Sequence, residues 1–242
     1  MRISNHLGSI SKTFVAAIAV SVVFSACSKK YDDMEPVQLA AITIVHAGPD
    51  TKELDFYFGN ERVNKEAAFK YGNKFGYLGA YPGTSRIAIT ERGKSSILLS
   101  KNEMYQAGKF YSSFLVDTGS KRAFFTINDK LDSIAVNEKA KVRFINLSPD
   151  ALPLDLALSG TATNIASNKG FKDFSVFTDV EPGENLTLEV KDHASKTVKT
   201  TIPAIKLEKG KFYTVWARGF KDKAETDSLK FKATIYNVTL KN

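Results

Sequence analysis

The residues able to do chemistry are few. The 242-residue chain has three histidines and one cysteine. Setting aside His6, in an N-terminal stretch discussed below, leaves His46 and His193. Neither has the spacing of a zinc site, and a lone Cys27 excludes both a CxxC framework and an intrachain disulfide. His46 closes an alternating apolar run, and the matching position a hundred residues on is Asn146, which suits packing better than general-base chemistry. Gly93-Lys94-Ser95 ends like a phosphate-binding loop, but that loop needs glycine at position 88, where Ala88 stands. Asp50, Asp55, Asp150 and Asp155 offer the oxygens a hard cation wants. No DxDxDG-type loop holds them, and each reads more simply as a turn or strand-opening residue. The expectation is no catalytic residue, no metal and no cofactor.

One stretch does suggest a ligand. Phe69–Gly83 interleaves glycines with aromatic rings, and such rings can stack on sugars or peptides. Core packing with turn chemistry is the plainer account of it. Tyr71, Phe75, Tyr77 and Tyr81 are its candidate binding residues. The second copy of the region keeps Phe174 and Phe177 but loses the tyrosines.

These residues must be positioned by a repeated element. Ala41-Ile-Thr-Ile-Val-His-Ala-Gly-Pro-Asp50 returns as Lys141-Val-Arg-Phe-Ile-Asn-Leu-Ser-Pro-Asp150. Leu54-Asp55 is answered by Leu154-Asp155, Phe69-Lys70 by Phe171-Lys172, Pro82-Gly83 by Pro182-Gly183, and Gly108-Lys-Phe-Tyr111 by Gly210-Lys-Phe-Tyr213. The order is kept at offsets of 100 to 102, which marks an internal duplication. Period-2 runs rich in Val, Ile, Thr, Phe and Tyr predict strands at 42–45, 54–58, 86–90, 110–116 and 123–127. The second copy gives 142–146, 154–158, 186–190, 212–217 and 230–236. Short helical turns are expected near 61–68 and 161–167. Pro49 and Pro149 should end the first strand of each copy, since proline cannot donate to a central ladder. The predicted fold is all-β: two tandem β-sandwiches of Ig-like size, residues 39–131 and 138–242, joined by a short link.

The N-terminus reads as an address. Arg2 and Lys12 precede an apolar run of 11 residues, Phe14–Phe24, well short of the roughly 20 needed to span a bilayer. Phe24-Ser-Ala-Cys27 resembles the lipobox of bacterial lipoproteins, which implies cleavage after residue 26 and acylation of Cys27. Residues 1–26 are then a signal peptide and 27–38 a lipidated cysteine with its tether. Losing 1–26 removes two cations and no acids, lowering the net charge from +8 to +6. The lysines are dispersed, so a solvated surface is expected and no nucleic-acid partner. The acidic cluster at 32–35 resembles surface-export signals of some lipoproteins. It implies an outer-membrane location, with the cell surface favoured over the periplasmic face. Asp132-Ser-Ile134 and Asp227-Ser-Leu229 resemble a short glycosylation motif of some envelope proteins.

The order of alternating strand, Pro-Asp, Leu-Asp, Pro-Gly and Gly-Lys-Phe-Tyr resembles domain-of-unknown-function family 4397. That resemblance covers nearly all of the mature chain and implies tandem domains in bacterial envelope proteins, with no established activity. The function expected is a lipid-anchored, non-catalytic binding or display module with an envelope glycan or protein partner. Two alternatives stand beside it: a subunit of a surface complex or appendage using strand edges, and an envelope glycan or peptide hydrolase.

Overall fold

A computed structural model describes residues 37–50, 52–131 and 138–238. The signal segment, Cys27, most of the tether and the 132–134 motif lie outside them. The first repeat contributes β1 (Ala40–His46), β2 (Leu54–Phe58), β3 (Glu61–Arg62), β4 (Lys74–Ala80), β5 (Gly83–Glu91), β6 (Ile97–Tyr105), β7 (Phe110–Val116) and β8 (Ala123–Asn128). The second contributes β9 (Ala140–Asn146), β10 (Leu154–Leu158), β11 (Asn164–Lys169), β12 (Thr178–Val180), β13 (Gly183–Asp192), β14 (Val198–Leu207), β15 (Phe212–Arg218) and β16 (Lys232–Asn237).

Each repeat is a sandwich of two four-stranded sheets. The inner sheets run β4-β1-β7-β8 and β12-β9-β15-β16; the outer sheets run β3-β2-β5-β6 and β11-β10-β13-β14. β1 with β7 and β9 with β15 are parallel, and the other paired strands are antiparallel. β1 and β9 stop before Pro49 and Pro149, as the missing proline donor requires. Pro82 leads directly into β5, whose first residue Gly83 has φ of 112°, a conformation open mainly to glycine.

Alternation explains the layering. In β1, Ile42 and Ile44 face the first sandwich core with Leu54, Phe56, Ile87 and Ile89. Their neighbour Val45 points the other way. It meets Phe114, Val116 and Ile127 of the first repeat and Ile145, Leu147 and Trp216 of the second. A third core fills the second sandwich around Val142, Phe144, Leu156, Leu188 and Val215. The inner sheets are therefore covered on both faces, and the repeats pack inner sheet against inner sheet as one body. All seven residues of β9 are buried. Buried strands normally read as continuous apolar runs, yet β9 carries Lys141, Arg143 and Asn146.

Two expectations change. The segments near 61–68 and 161–167 form no helix: β3 begins the first, and β11 takes up the second from Asn164. The backbone register also sets Phe69 and Lys169 in equivalent places, bonded to Leu54 and Leu154. Phe171-Lys172 is thus not the structural partner of Phe69-Lys70. Through this region the constant offset is 100, because His46 and Asn146 hold Asn73 and Asp173 by the same backbone bonds.

Candidate functional site

A buried polar network sits where the repeats meet. Arg143 is 2% exposed and Asp129 is 3% exposed. Nη1 of Arg143 lies 2.7 Å from Oδ1 of Asp129. Its Nε donates to Oγ1 of Thr214 at 2.9 Å and its Nη2 to Oγ of Ser112 at 2.9 Å. Oδ2 of Asp129 accepts from Tyr77 Oη at 2.7 Å and Ser112 Oγ at 3.0 Å. Burial works hardest against the Arg143 charge, but Asp129, Tyr236 and Tyr77 together outweigh it and the guanidinium pKa is raised. Burial, then the Asp129 carboxylate, pushes the Tyr77 hydroxyl up, so it stays a donor. The network is specific to unlike copies. Arg143 stands where the first repeat has Thr43. Asp129, whose N–H bonds the Phe110 carbonyl, stands where the second repeat has Val238 bonded to Phe212. A contact between two like copies would strand one charge.

Beside this network opens a cleft of about 530 Å³, walled by Phe125, Ile127, Phe174, Val176 and Phe177, with Asp129 and Arg143 at its floor. Its origin is a difference between the copies. In the first repeat β4 pairs with β1 along most of its length, from Lys74 to Ala80. In the second, one bridge joins Phe174 to Ile145, and only Thr178–Val180 follows as strand. The outward positions also differ: Lys74 and Gly76 in the first repeat become Phe174 and Val176 in the second. Phe174 is 43% exposed and Val176 80% exposed. Both apolar side chains are held outward at the cleft rim. Phe125 and Phe174 lie 6.2 Å apart across the mouth, and the Arg143 guanidinium stacks 4.7 Å over Phe177.

The four aromatic residues singled out by sequence do not converge. Phe75 stacks on Phe69 at 4.8 Å and packs against the first core. Tyr77 lies edge-on to Phe110 and joins the buried network, as Phe177 lies edge-on to Phe212. Tyr71 sits under the Arg218 guanidinium at 4.5 Å, and burial raises its hydroxyl pKa. Tyr81 is 72% exposed. Phe125, Val176, Asp129 and Arg143 were not singled out. Aligning the copies at the single offset of 100 would have shown Lys74 and Gly76 replaced by Phe174 and Val176.

The acidic candidates are internally satisfied. Buried Asp55 holds Arg62, Arg92, the side-chain amide of Asn64 and the N–H of Gly93. Buried Asp155 holds His193 Nδ1 at 2.7 Å, Lys196 Nζ at 3.0 Å, the Asn168 N–H at 2.8 Å and Asn164 Nδ2 at 3.1 Å. In both copies the asparagine lies nine residues on from the aspartate. Each Leu-Asp is thus a clamp that ties a loop to the second strand. Burial disfavours the Asp155 charge, but these donors together lower its pKa. His193 and Asp155 form a dyad, with no hydroxyl hydrogen-bonded to the other imidazole nitrogen among the described residues. Asp50 pairs with Arg122 and takes the Lys52 N–H at 3.0 Å. His46 is buried with neither ring nitrogen bonded among the described residues, and burial lowers its pKa to about 4. No cluster of three or more metal-ligating side chains occurs among the described residues. Ser228 of the second glycosylation-like motif is exposed in a turn held by Asp227.

Among solved structures, the chain resembles the C-terminal domain of AlgF from P. aeruginosa at 19% identity. That match covers 42% of this chain and 99% of the other, with a TM-score of 0.31. It also resembles a structure described as alpha-glucan binding by a streptococcal virulence factor. There the identity is 10% over 79% of this chain and 97% of the other, with a TM-score of 0.27. No curated protein matches the chain. The model of a domain of unknown function, DUF4397, matches residues 40–157 and again residues 140–235, and the chain belongs to that family, carrying its domain in tandem.

Proposed function

We propose that this protein is a lipid-anchored, non-catalytic binding module of the bacterial envelope. Acyl chains on Cys27 hold it to the outer membrane, on the surface face, and the tether lifts the paired sandwiches toward an envelope glycan or protein. The observation that carries the reading is the seam cleft, with Phe174 and Val176 held outward where the first copy has Lys74 and Gly76. The anchor rests on the sequence alone. More than one acyl chain is needed for stable attachment, at roughly 0.8 kcal/mol per buried methylene, and a lipoprotein cysteine supplies several.

The test compares the full chain with Cys27→Ala and with the double variant Phe174→Ser/Val176→Ser. The alanine form should leave the membrane fraction. The double variant should stay membrane-bound and folded but lose retention of isolated envelope material by at least tenfold. Membrane retention of the alanine form, or unchanged envelope binding by the double variant, contradicts the proposal.

A further inference from the structure

We infer that the seam cleft takes an extended peptide strand added to the free edge of β8. This deepens the binding-module reading and rests on it. The phase of the β8 ladder carries the argument. Asp129 N donates to Phe110 O, and β8 pairs with β7 in the register Tyr111 to Asn128. In an antiparallel ladder, bonded pairs alternate. Residues 123, 125, 127 and 129 therefore spend their backbone groups on β7. Phe124, Thr126 and Asn128 aim theirs outward, since β8 ends the sheet. Lys101 Nζ donates to the Phe124 carbonyl at 3.3 Å, which confirms the phase and guards only that end. Among the described residues, no hydrogen bond reaches the backbone groups of Thr126 or the backbone N–H of Asn128.

The cleft is continuous with the established interface between the repeats. Phe125 and Ile127 extend the shared inner-sheet core to the edge of β8, and Phe174 and Val176 face them from the second repeat. A strand laid beside β8 would occupy the next place in the inner sheet. Its alternate side chains would enter the cleft, where a shortened β12 leaves room. The occupant's chemistry follows: backbone amides to meet Thr126 and Asn128, and an apolar side chain at every second position. A glycan has no backbone that matches this spacing of donors and acceptors.

The test uses the full chain in detergent and a set of short peptides with apolar residues at alternate positions. The same peptides with alternate amides N-methylated, and chitohexaose, serve as comparison probes. Peptides should bind and slow amide hydrogen exchange of Thr126 and Asn128 at least tenfold, and N-methylation should weaken binding at least tenfold. Thr126→Pro removes an outward N–H without breaking a backbone bond to β7 and should weaken binding by a similar factor, whereas Thr126→Val, which loses the same hydroxyl bonds to Ser113 and Glu103, should not. Val176→Asp should do the same from the opposite wall and stands if the proline variant misfolds. Equal binding of methylated and unmethylated peptides overturns the inference. So does binding of chitohexaose in place of peptide, which would leave the binding-module reading intact. Failure of every probe, with unchanged envelope retention in Val176→Asp, overturns both.

Discussion

Breaking the Asp129–Arg143 pair should loosen the two repeats from each other before it harms either sandwich. Asp129→Asn leaves the Arg143 guanidinium buried opposite a neutral amide. Arg143→Met leaves the Asp129 carboxylate buried with only Tyr77 and Ser112. Removing one member of a buried pair costs about 3–5 kcal/mol, while replacing both with apolar residues is often close to neutral. The double variant Asp129→Leu/Arg143→Met should therefore cost far less than the two single changes summed. For a chain of this size each single change lowers Tm by about 6–20 °C. The readout is built in: the chain has one tryptophan, Trp216, buried in the core shared by the repeats. Its fluorescence reports the interface, and far-ultraviolet circular dichroism reports the sheets. The single variants should lose the tryptophan signal at lower denaturant than the sheet signal, and the double variant should bring the transitions back together. Single changes costing under about 1 kcal/mol, or a double change costing their sum, would refute the reasoning.

Other perturbations read other parts of the fold. His46 is held near pKa 4 when folded against 6.5 unfolded, so the unfolded chain takes the proton first as pH falls. Stability lost between pH 6.5 and 4 should be about 3 kcal/mol greater in the natural chain than in His46→Leu, by urea unfolding across that range. Asp155→Ala should cost about 2–3 kcal/mol at neutral pH, because several donors lose one charged acceptor. The Asp155 carboxyl pKa is lowered by folding, so the stability it adds is present at neutral pH and lost as pH falls through the carboxylate range. Urea unfolding in acid should accordingly show a smaller penalty for that variant. Tyr111→Phe and Tyr213→Phe each remove an acceptor for a backbone N–H, at Gln106 and Glu208. Thermal melts should show similar losses of about 0.5–1.5 kcal/mol at both sites.

Most strands that face a core announced themselves, and the edges of the outer sheets did not. Each of the ten predicted runs falls on or overlaps a strand: strands buried on one face alternate, and those buried on both, such as β1 and β9, are marked by their β-branched and aromatic residues. β6 and β14 were silent. Both are outer-sheet edges with mostly exposed side chains, such as Ser100, Lys101 and Asn102, so no apolar period forms. The duplication was legible because Pro-Asp, Leu-Asp and Gly-Lys-Phe-Tyr each have a backbone job done twice. Tyr111 and Tyr213, for example, make the same bond to the chain five residues back. The seam was not legible, since Arg143 reads as an ordinary charge in an alternating strand until a partner from the other copy is placed opposite it. The aromatic stretch drew attention to the first copy of this region, whereas the structure opens its cleft beside the second. Glycines and tyrosines stand out by type, whereas Phe174 and Val176 stand out only by where their side chains are held.

Whether the cleft is a contact surface is tested most directly by the copies themselves, since positions 76 and 176 are equivalent in the fold. A photo-crosslinking residue placed at Val176, and separately at Gly76, can be activated in intact cells producing the full chain. Covalent adducts from position 176 and none from position 76 are expected. Equal adducts from both, or none from position 176, would contradict a binding site at the seam.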